Sequence, residues 1–228
     1  VTSPSLTGTT LLSIVLGGLQ EAFNCGEPAY LFHRRWKDLD LAWNDPRQYY
    51  ADRAFWSDIQ ARGFEQFFPA VYEKTGARLI IDSTNEQWEN FALPQRAIAT
   101  AAGFSVRDIL IWKTPLEQAY SYYKRERDVF DWFNKRWLQR MDLFFDKVEN
   151  PLVVRYADFA CHTDSILGQI CTALKVSFDP NIKEFWRTRQ QCLFGNAGVI
   201  KELHQAWESG EHPRGGISYD DGWQKLPD

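Results

Sequence analysis

The chain has 228 residues, 44% of them apolar and 25% charged, with a formal net charge of −4. That composition excludes a disordered chain, and the charge excludes a surface basic enough for non-specific nucleic-acid binding. The length suits one substantial core, so a single domain over residues 1–228 is expected, with no nucleic acid as partner.

Val1–Pro4 reads as the tail of a strand that begins upstream of the first residue. It feeds a tight loop, Ser3–Thr10, in "SPSLTGTTLL", which runs straight into an apolar helix. Thr9 and Thr10 fall in the first helical turn, where unpaired backbone N–H groups point outward and favour an anion. A phosphate-cradling loop usually carries a Lys or Arg, and the corresponding position here holds Leu6. The apolar run Leu11–Leu16 follows no basic segment and is too short to span a bilayer. A soluble, cytoplasmic protein with no membrane partner is expected; a luminal domain trimmed of its anchor would read the same way.

Glu27 follows in "NCGEPAYL", as a carboxylate beside a turn. Three short runs rich in Ile, Leu and Val then predict buried strands: "RLIID" (78–82), "DILIWK" (108–113) and "PLVVRY" (151–156). Helical sequence lies between them, which predicts a central parallel sheet flanked by helices, an α/β fold. Ligands bind beyond the carboxyl ends of such strands. The segments there are the Ser3–Thr10 loop, "DSTN" (82–85), "KTPLEQAYS" (113–121) and "RYADF" (155–159), expected on one rim of the sheet.

A long helix is predicted from about Leu116 to Val148, because Tyr120, Tyr123, Phe130, Phe133, Trp137, Met141, Phe144 and Val148 recur at three- and four-residue steps. Lys124, Arg125, Arg127 and Lys135 fall mostly off that stripe. A further helix follows Thr163, a good N-cap, with Ile166, Ile170 and Leu174 on one face. "GEHPRGG" (210–216) reads as a loop, and "ISYDDGWQKL" as a last short amphipathic piece. The four cysteines, Cys25, Cys161, Cys171 and Cys192, have no metal-ligand spacing and read as free buried thiols.

Each polar feature has an ordinary structural reading. Lys113 can be a solvated charge, Ser121 a hydroxyl on a helix surface, and Glu27 a surface carboxylate. Asp158 can simply begin a helix, and Arg155 and Tyr156 can be structural pairs. Order and spacing together point further. "SLTGTTLLSIVLG" resembles the 5′-phosphosulfate loop of the sulfotransferase family, enzymes that use 3′-phosphoadenosine-5′-phosphosulfate (PAPS). "WKTPLEQAYSYYK" resembles that family's 3′-phosphate motif, in which a Ser lies eight positions after a basic residue, as Ser121 does after Lys113. "NPLVVRYADF" and the segment after it resemble the family's Arg-Tyr-Glu-Asp region, and "FGNAG" (194–198) its Gly-Asn loop.

The resemblance implies a P-loop-like sulfotransferase fold across the whole chain. It implies that Thr7, Gly8, Thr9 and Thr10 hold the 5′-phosphate, and that Lys113 and Ser121 hold the 3′-phosphate. Tyr156 would edge the adenine, and Asn196 would belong to the nucleotide site. Glu27 matches the "CGE" of the tyrosylprotein branch, where the Glu is the general base; His33 is the next candidate. The implied co-substrate is PAPS, leaving as the bisphosphate PAP, with no metal required. The acceptor would be a hydroxyl or amine on a small molecule, glycan or peptide, selected by loops and by the aromatic-rich stretch Trp36–Phe68.

Four departures stand out. The loop cation is Leu6, the usual Arg of the 3′ motif is Lys113, "DSTNEQW" lacks the Lys often found there, and Val199 stands near the place of an Arg. Either Arg34 or Arg35 replaces the loop cation, or the protein is a catalytically weakened, sulfotransferase-like nucleotide-binding or interaction protein. A different nucleotide-dependent transferase, such as a kinase, fits less well. The Gly-x-x-x-x-Gly-Lys pattern is missing, and Asp82 is the one evident Mg²⁺-holding Asp at a strand end.

Overall fold

The computed structural model describes residues 1–4, 6–32, 51–84, 92–125, 137–213 and 216–225. In chain order these form helix α1 (Thr9–Leu16), strand β1 (Ala22–Asn24), helices α2 (Arg53–Arg62) and α3 (Phe67–Thr75), strand β2 (Leu79–Ile81) and helix α4 (Ala92–Ala101). Strand β3 (Ile109–Trp112), helices α5 (Pro115–Tyr123) and α6 (Leu138–Lys147) and strand β4 (Leu152–Arg155) follow. Helices α7 (Tyr156–Cys161), α8 (Thr163–Leu174) and α9 (Ala197–Ser209) complete the series, with short 3₁₀ turns between and after them. The described residues fall into two compact units, each assembled from several stretches of chain.

The first unit comprises residues 1–9, 107–178 and 217–228. Its centre is the parallel pair β3–β4, in register from Ile109 opposite Leu152 to Trp112 opposite Arg155. Thr2 joins the other edge of β3 as the expected strand tail, donating to the Ile109 carbonyl at 2.8 Å and accepting from Ile111 N–H at 3.1 Å. Strand β3 opens Ile-Leu-Ile because it has neighbours on both edges and those three residues are buried, while Trp112 at its end is half-buried. Fully burying each such side chain contributes about 1.5–3 kcal/mol. Helices α7 and α8 pack on β4, through buried Phe159, Leu167 and Ile170.

The second unit comprises residues 10–106 and 179–216. Strands β1 and β2 pair in parallel, Ala22 to Asn24 against Leu79 to Ile81. Trp56, Ile59, Phe67, Phe68 and Val71 from α2 and α3 form a core cluster with Leu31, Leu193 and Phe194. Trp56, Phe67 and Phe68 belong to the aromatic-rich stretch expected to select the acceptor; their rings fill this core instead. Residues 33–50, including His33, Arg34, Arg35 and Trp36, lie outside the described residues.

Parallel pairing and the alternation of strands and helices are as expected, and the three apolar runs are strands. Among the described residues the hydrogen-bonded strands form two parallel pairs, β1–β2 and β3–β4. The predicted helix over 116–148 is interrupted. Its first segment ends at Tyr123, where Lys124 and Arg125 form a turn and Arg125 caps the Ser121 carbonyl at 3.0 Å. Residues 126–136 lie outside the described residues. Thr163 is the first residue of α8 and not its N-cap. Its hydroxyl donates back to the Phe159 carbonyl at 2.9 Å, because α7 ends immediately before and offers free acceptors. Cys25, Cys171 and Cys192 are buried thiols, whereas Cys161 is exposed. Among the described residues, no helix is long and apolar enough to cross a membrane.

Candidate functional site

In the first unit, β3 delivers Lys113 at its carboxyl end. The sequence after it, Thr-Pro-Leu-Glu, forces a helix to begin. Thr114 accepts from Glu117 N–H at 3.3 Å, and the Glu117 carboxylate accepts from Thr114 N–H at 2.6 Å, while Pro115 occupies the first turn, where no N–H is needed. Two turns on, the face of α5 that looks back presents Ser121, 6% exposed. The Lys113 ammonium donates to the Ser121 hydroxyl at 3.2 Å, and that hydroxyl donates to the Glu117 carbonyl at 3.0 Å. The eight-residue spacing therefore makes a contact.

The register of β3 and β4 does the rest. Trp112 and Arg155 are partners, so Lys113 and Tyr156, one residue beyond each, emerge side by side. The ammonium stands 4.5 Å from the centroid of the Tyr156 ring. Burial, with Lys124 and Arg125 nearby, pushes the Lys113 pKa down to about 8, although Glu117 and Asp220 hold it up in part. Burial, with the Asp220 charge, pushes the Tyr156 phenol up to about 12. Its hydroxyl donates to the Ser218 carbonyl at 3.0 Å.

The Tyr156 ring also closes on the loop. A Cβ at Gly8 would sit 2.5 Å from Tyr156 Cδ2, and Gly8 holds φ +106°, so only glycine fits on either ground. Thr7 is fully buried and its hydroxyl is turned inward, donating to the Pro4 carbonyl at 2.8 Å and lying against the Ser3 hydroxyl. Leu6 holds a left-handed φ of 68°. Thr9 opens α1 and is buried. Gly8→Ala is expected to cost about 2–4 kcal/mol, the sum of a strained φ and a displaced ring. Urea denaturation checks this, and a loss under about 0.5 kcal/mol would contradict the close approach.

Two groups here escaped the sequence reading. Glu117 is almost fully buried and ties three segments together. It pairs with Arg155 at 3.2 Å and accepts from Tyr219 at 2.6 Å, besides closing the turn at Thr114. Burial raises its pKa, but the hydrogen bonds from Tyr219 and Thr114 and the Arg155 charge outweigh that and hold the carboxyl below its usual range. The Thr-x-x-Glu pattern was the available signal. The partnership with Tyr219 had none, since the two residues are 102 positions apart.

In the second unit, Glu27 follows β1 and is 8% exposed. Its backbone is pinned. Glu27 N–H donates to the Leu193 carbonyl at 2.7 Å, and the Gly26 carbonyl accepts both Ser83 N–H at 2.7 Å and the Ser83 hydroxyl at 2.8 Å. Gly26 N–H donates to Asn24 Oδ1 at 3.0 Å, Asn24 donates to Gln190, and Gln190 donates to the Ile14 carbonyl at 2.7 Å. Gly26 has φ +69° and a Cβ there would collide with the Leu193 carbonyl oxygen, so the glycine of Cys-Gly-Glu is a steric requirement. Cys25 beneath is buried, and burial together with the Asp82 charge pushes its thiol well up. Asp82 is itself raised by burial, against hydrogen bonds from Thr84 and Gln95 that lower it.

Thr10 and Asn196 meet in this unit: Asn196 N–H donates to the Thr10 hydroxyl at 3.0 Å. The Asn196 side chain caps α9, accepting from Gly198 N–H at 3.0 Å and Val199 N–H at 3.3 Å. The site residues read from the sequence thus group as Gly8, Lys113, Ser121 and Tyr156 in one unit, with Thr7 and Thr9 in the same loop. Thr10 and Asn196 group in the other, where Glu27 is held separately.

No protein-family model and no curated protein sequence matches the chain. Solved structures do. The "Sulfotransferase Domain from the Synechococcus PCC 7002 Olefin Synthase" superposes with a TM-score of 0.70 at 17% identity, covering 99% of this chain and 86% of that one. The "Sulfotransferase Domain from the Curacin Biosynthetic Pathway" superposes with a TM-score of 0.63 at 16% identity, covering 98% and 93%. With α/β elements, parallel strand pairs and near-complete coverage of two such domains, the chain has the sulfotransferase fold.

Proposed function

We propose that this protein is a sulfotransferase that moves a sulfuryl group from PAPS to a hydroxyl or amine acceptor. The observation that carries the reading is the Lys113–Ser121 contact beside the Tyr156 ring, at the end of a parallel strand. An ammonium and a hydroxyl presented together suit a phosphate monoester, and an aromatic face beside them suits a nucleobase. Both neighbours of like fold are named as sulfotransferase domains. In this reading the Gly8 loop and the start of α1 offer backbone N–H groups to the 5′-phosphate. Glu27, which its pinned backbone holds in one place, takes the acceptor proton, and positioning does most of the remaining work. Turnover of labelled PAPS against a panel of small-molecule, glycan and peptide acceptors tests the activity. Titration with PAP against ATP separates this reading from a kinase-like one.

A second reading has specific support. Leu6 supplies no cation, and the Thr7 hydroxyl is spent on Pro4 and Ser3. Losing one transition-state donor costs about 2.7–4 kcal/mol, or 10²–10³ in rate. A protein that binds PAP but turns over no acceptor would be this nucleotide-binding form.

The depressed Lys113 pKa gives a pH signature. A phosphate beside Lys113 favours its ammonium, so above about pH 8 binding must take up a proton. PAP affinity is expected to be level from about pH 7 to 8 and to fall by up to about tenfold per unit above that. Calorimetric titration out to about pH 9.5 measures it. An affinity that stays level throughout would remove Lys113 from the site.

A further inference from the structure

We propose that Lys124 is a further phosphate-binding residue, and that Asp220 is the counter-ion it holds until a phosphate monoester takes its place. The inference rests on the 3′-phosphate assignment of Lys113 and Ser121 above, and it concerns residues of the first unit throughout.

Lys124 is the C-cap of α5, in αR backbone three positions after Ser121, which keeps the two side chains on neighbouring positions of the helix surface. Its ammonium stands 4.7 Å from the Tyr120 ring centroid and pairs with the Asp220 carboxylate. Asp220 is not there by accident of a loose tail. Just before it, Ser218 accepts from Tyr156 at 3.0 Å, and Tyr219 donates to Glu117 at 2.6 Å and accepts from Trp223 at 3.1 Å. Asp220 itself accepts from Gly222 N–H at 2.9 Å. The segment is thus anchored on Tyr156 and on the helix start that carries Ser121, with its carboxylate presented to the cations.

Charge counting favours exchange. The Glu117 carboxylate is taken up by Arg155, which leaves Asp220 paired with Lys124 and acting on Lys113, while Lys124 and Arg125 both bear on Lys113. Both Lys124 and Asp220 act on Lys113, the first lowering and the second raising its pKa. A phosphate monoester dianion brings two negative charges to Lys113, Lys124 and Arg125 where Asp220 brings one, so the exchange is favoured. The Lys124 and Asp220 side chains are 40% and 53% exposed, so the pair is reachable and readily opened.

Asp220→Asn keeps the acceptor for Gly222 and removes the charge. It is expected to tighten PAP about three- to fivefold, the scale of an exposed ion pair, and to leave adenosine 5′-phosphosulfate, which lacks the 3′-phosphate, unchanged. Lys124→Ala is expected to weaken PAP about tenfold, again sparing the control nucleotide. If PAP binds and Lys113→Ala weakens it, while Asp220→Asn and Lys124→Ala change nothing, this inference falls and the site assignment stands. Equal gains for both nucleotides in Asp220→Asn overturn it as well. No PAP binding to any of these proteins overturns both.

Discussion

Glu27→Gln is expected to lower turnover of the sulfuryl transfer by about 10²–10⁴ while PAP affinity changes by no more than about twofold. The argument has three parts. The amide keeps the shape of the side chain, so the core beside Cys25 and the backbone bonds to Leu193 and Ser83 stay as they are. It cannot accept a proton, which is the one task the sulfotransferase reading gives this side chain. And Glu27 is asked to contact the acceptor, not the nucleotide, so the binding step has no reason to change. Steady-state turnover with labelled PAPS, set beside a PAP titration, separates the two effects. A Glu27→Gln protein with full activity would move the base elsewhere, to His33 first.

Lys113→Ala should show the opposite division. Truncating the charged partner of a largely desolvated contact costs about 2–5 kcal/mol, so PAP is expected to weaken about 30-fold or more. Adenosine 5′-phosphosulfate lacks the 3′-phosphate and should bind within a factor of about three of the unaltered protein. The comparison between the two nucleotides carries the test, because a general loosening of the loop or of Tyr156 would weaken both. Equal losses would detach Lys113 from the 3′-phosphate and leave its contact with Ser121 as a structural pair. The thermal midpoint serves as the control for folding.

The sequence made much of this arrangement legible. The runs 78–82, 108–113 and 151–156 hold the strands Leu79–Ile81, Ile109–Trp112 and Leu152–Arg155, as their density of Ile, Leu and Val predicts, although Val153 of β4 stays exposed. The Lys113-to-Ser121 interval became a contact because Thr114, Pro115 and Glu117 start a helix at a fixed place, and helical rise then fixes where Ser121 points. Gly8 was legible in kind, as a loop glycine, but its closest neighbour was not. The ring of Tyr156 reaches it from a strand end far along the chain.

Other elements gave no such signal. Strand β1 is three residues, Ala-Phe-Asn, too short for any alternation to register, and it exists because Leu79–Ile81 pair with it. The predicted helix over 116–148 followed an unbroken apolar period, yet Arg125 folds back onto the Ser121 carbonyl and the first segment stops at Tyr123. Aromatic residues that could have lined an acceptor pocket, Trp56, Phe67 and Phe68, fill a core.

What the sequence determined by itself is therefore local: strand runs, the helix start after Lys113, the loop before α1 and the Cys-Gly-Glu turn. These follow from backbone sterics, capping and periodicity, which act over a few residues. What only the tertiary structure decided is partnership. Asn24 finds Gln190 across 166 positions, Asn196 finds Thr10 across 186, and Glu117 finds Tyr219 across 102. Buried polar groups must be paired, but the rule does not say with what. The choice is made when collapse brings distant segments within hydrogen-bonding reach, a range over which no local pattern in the chain extends.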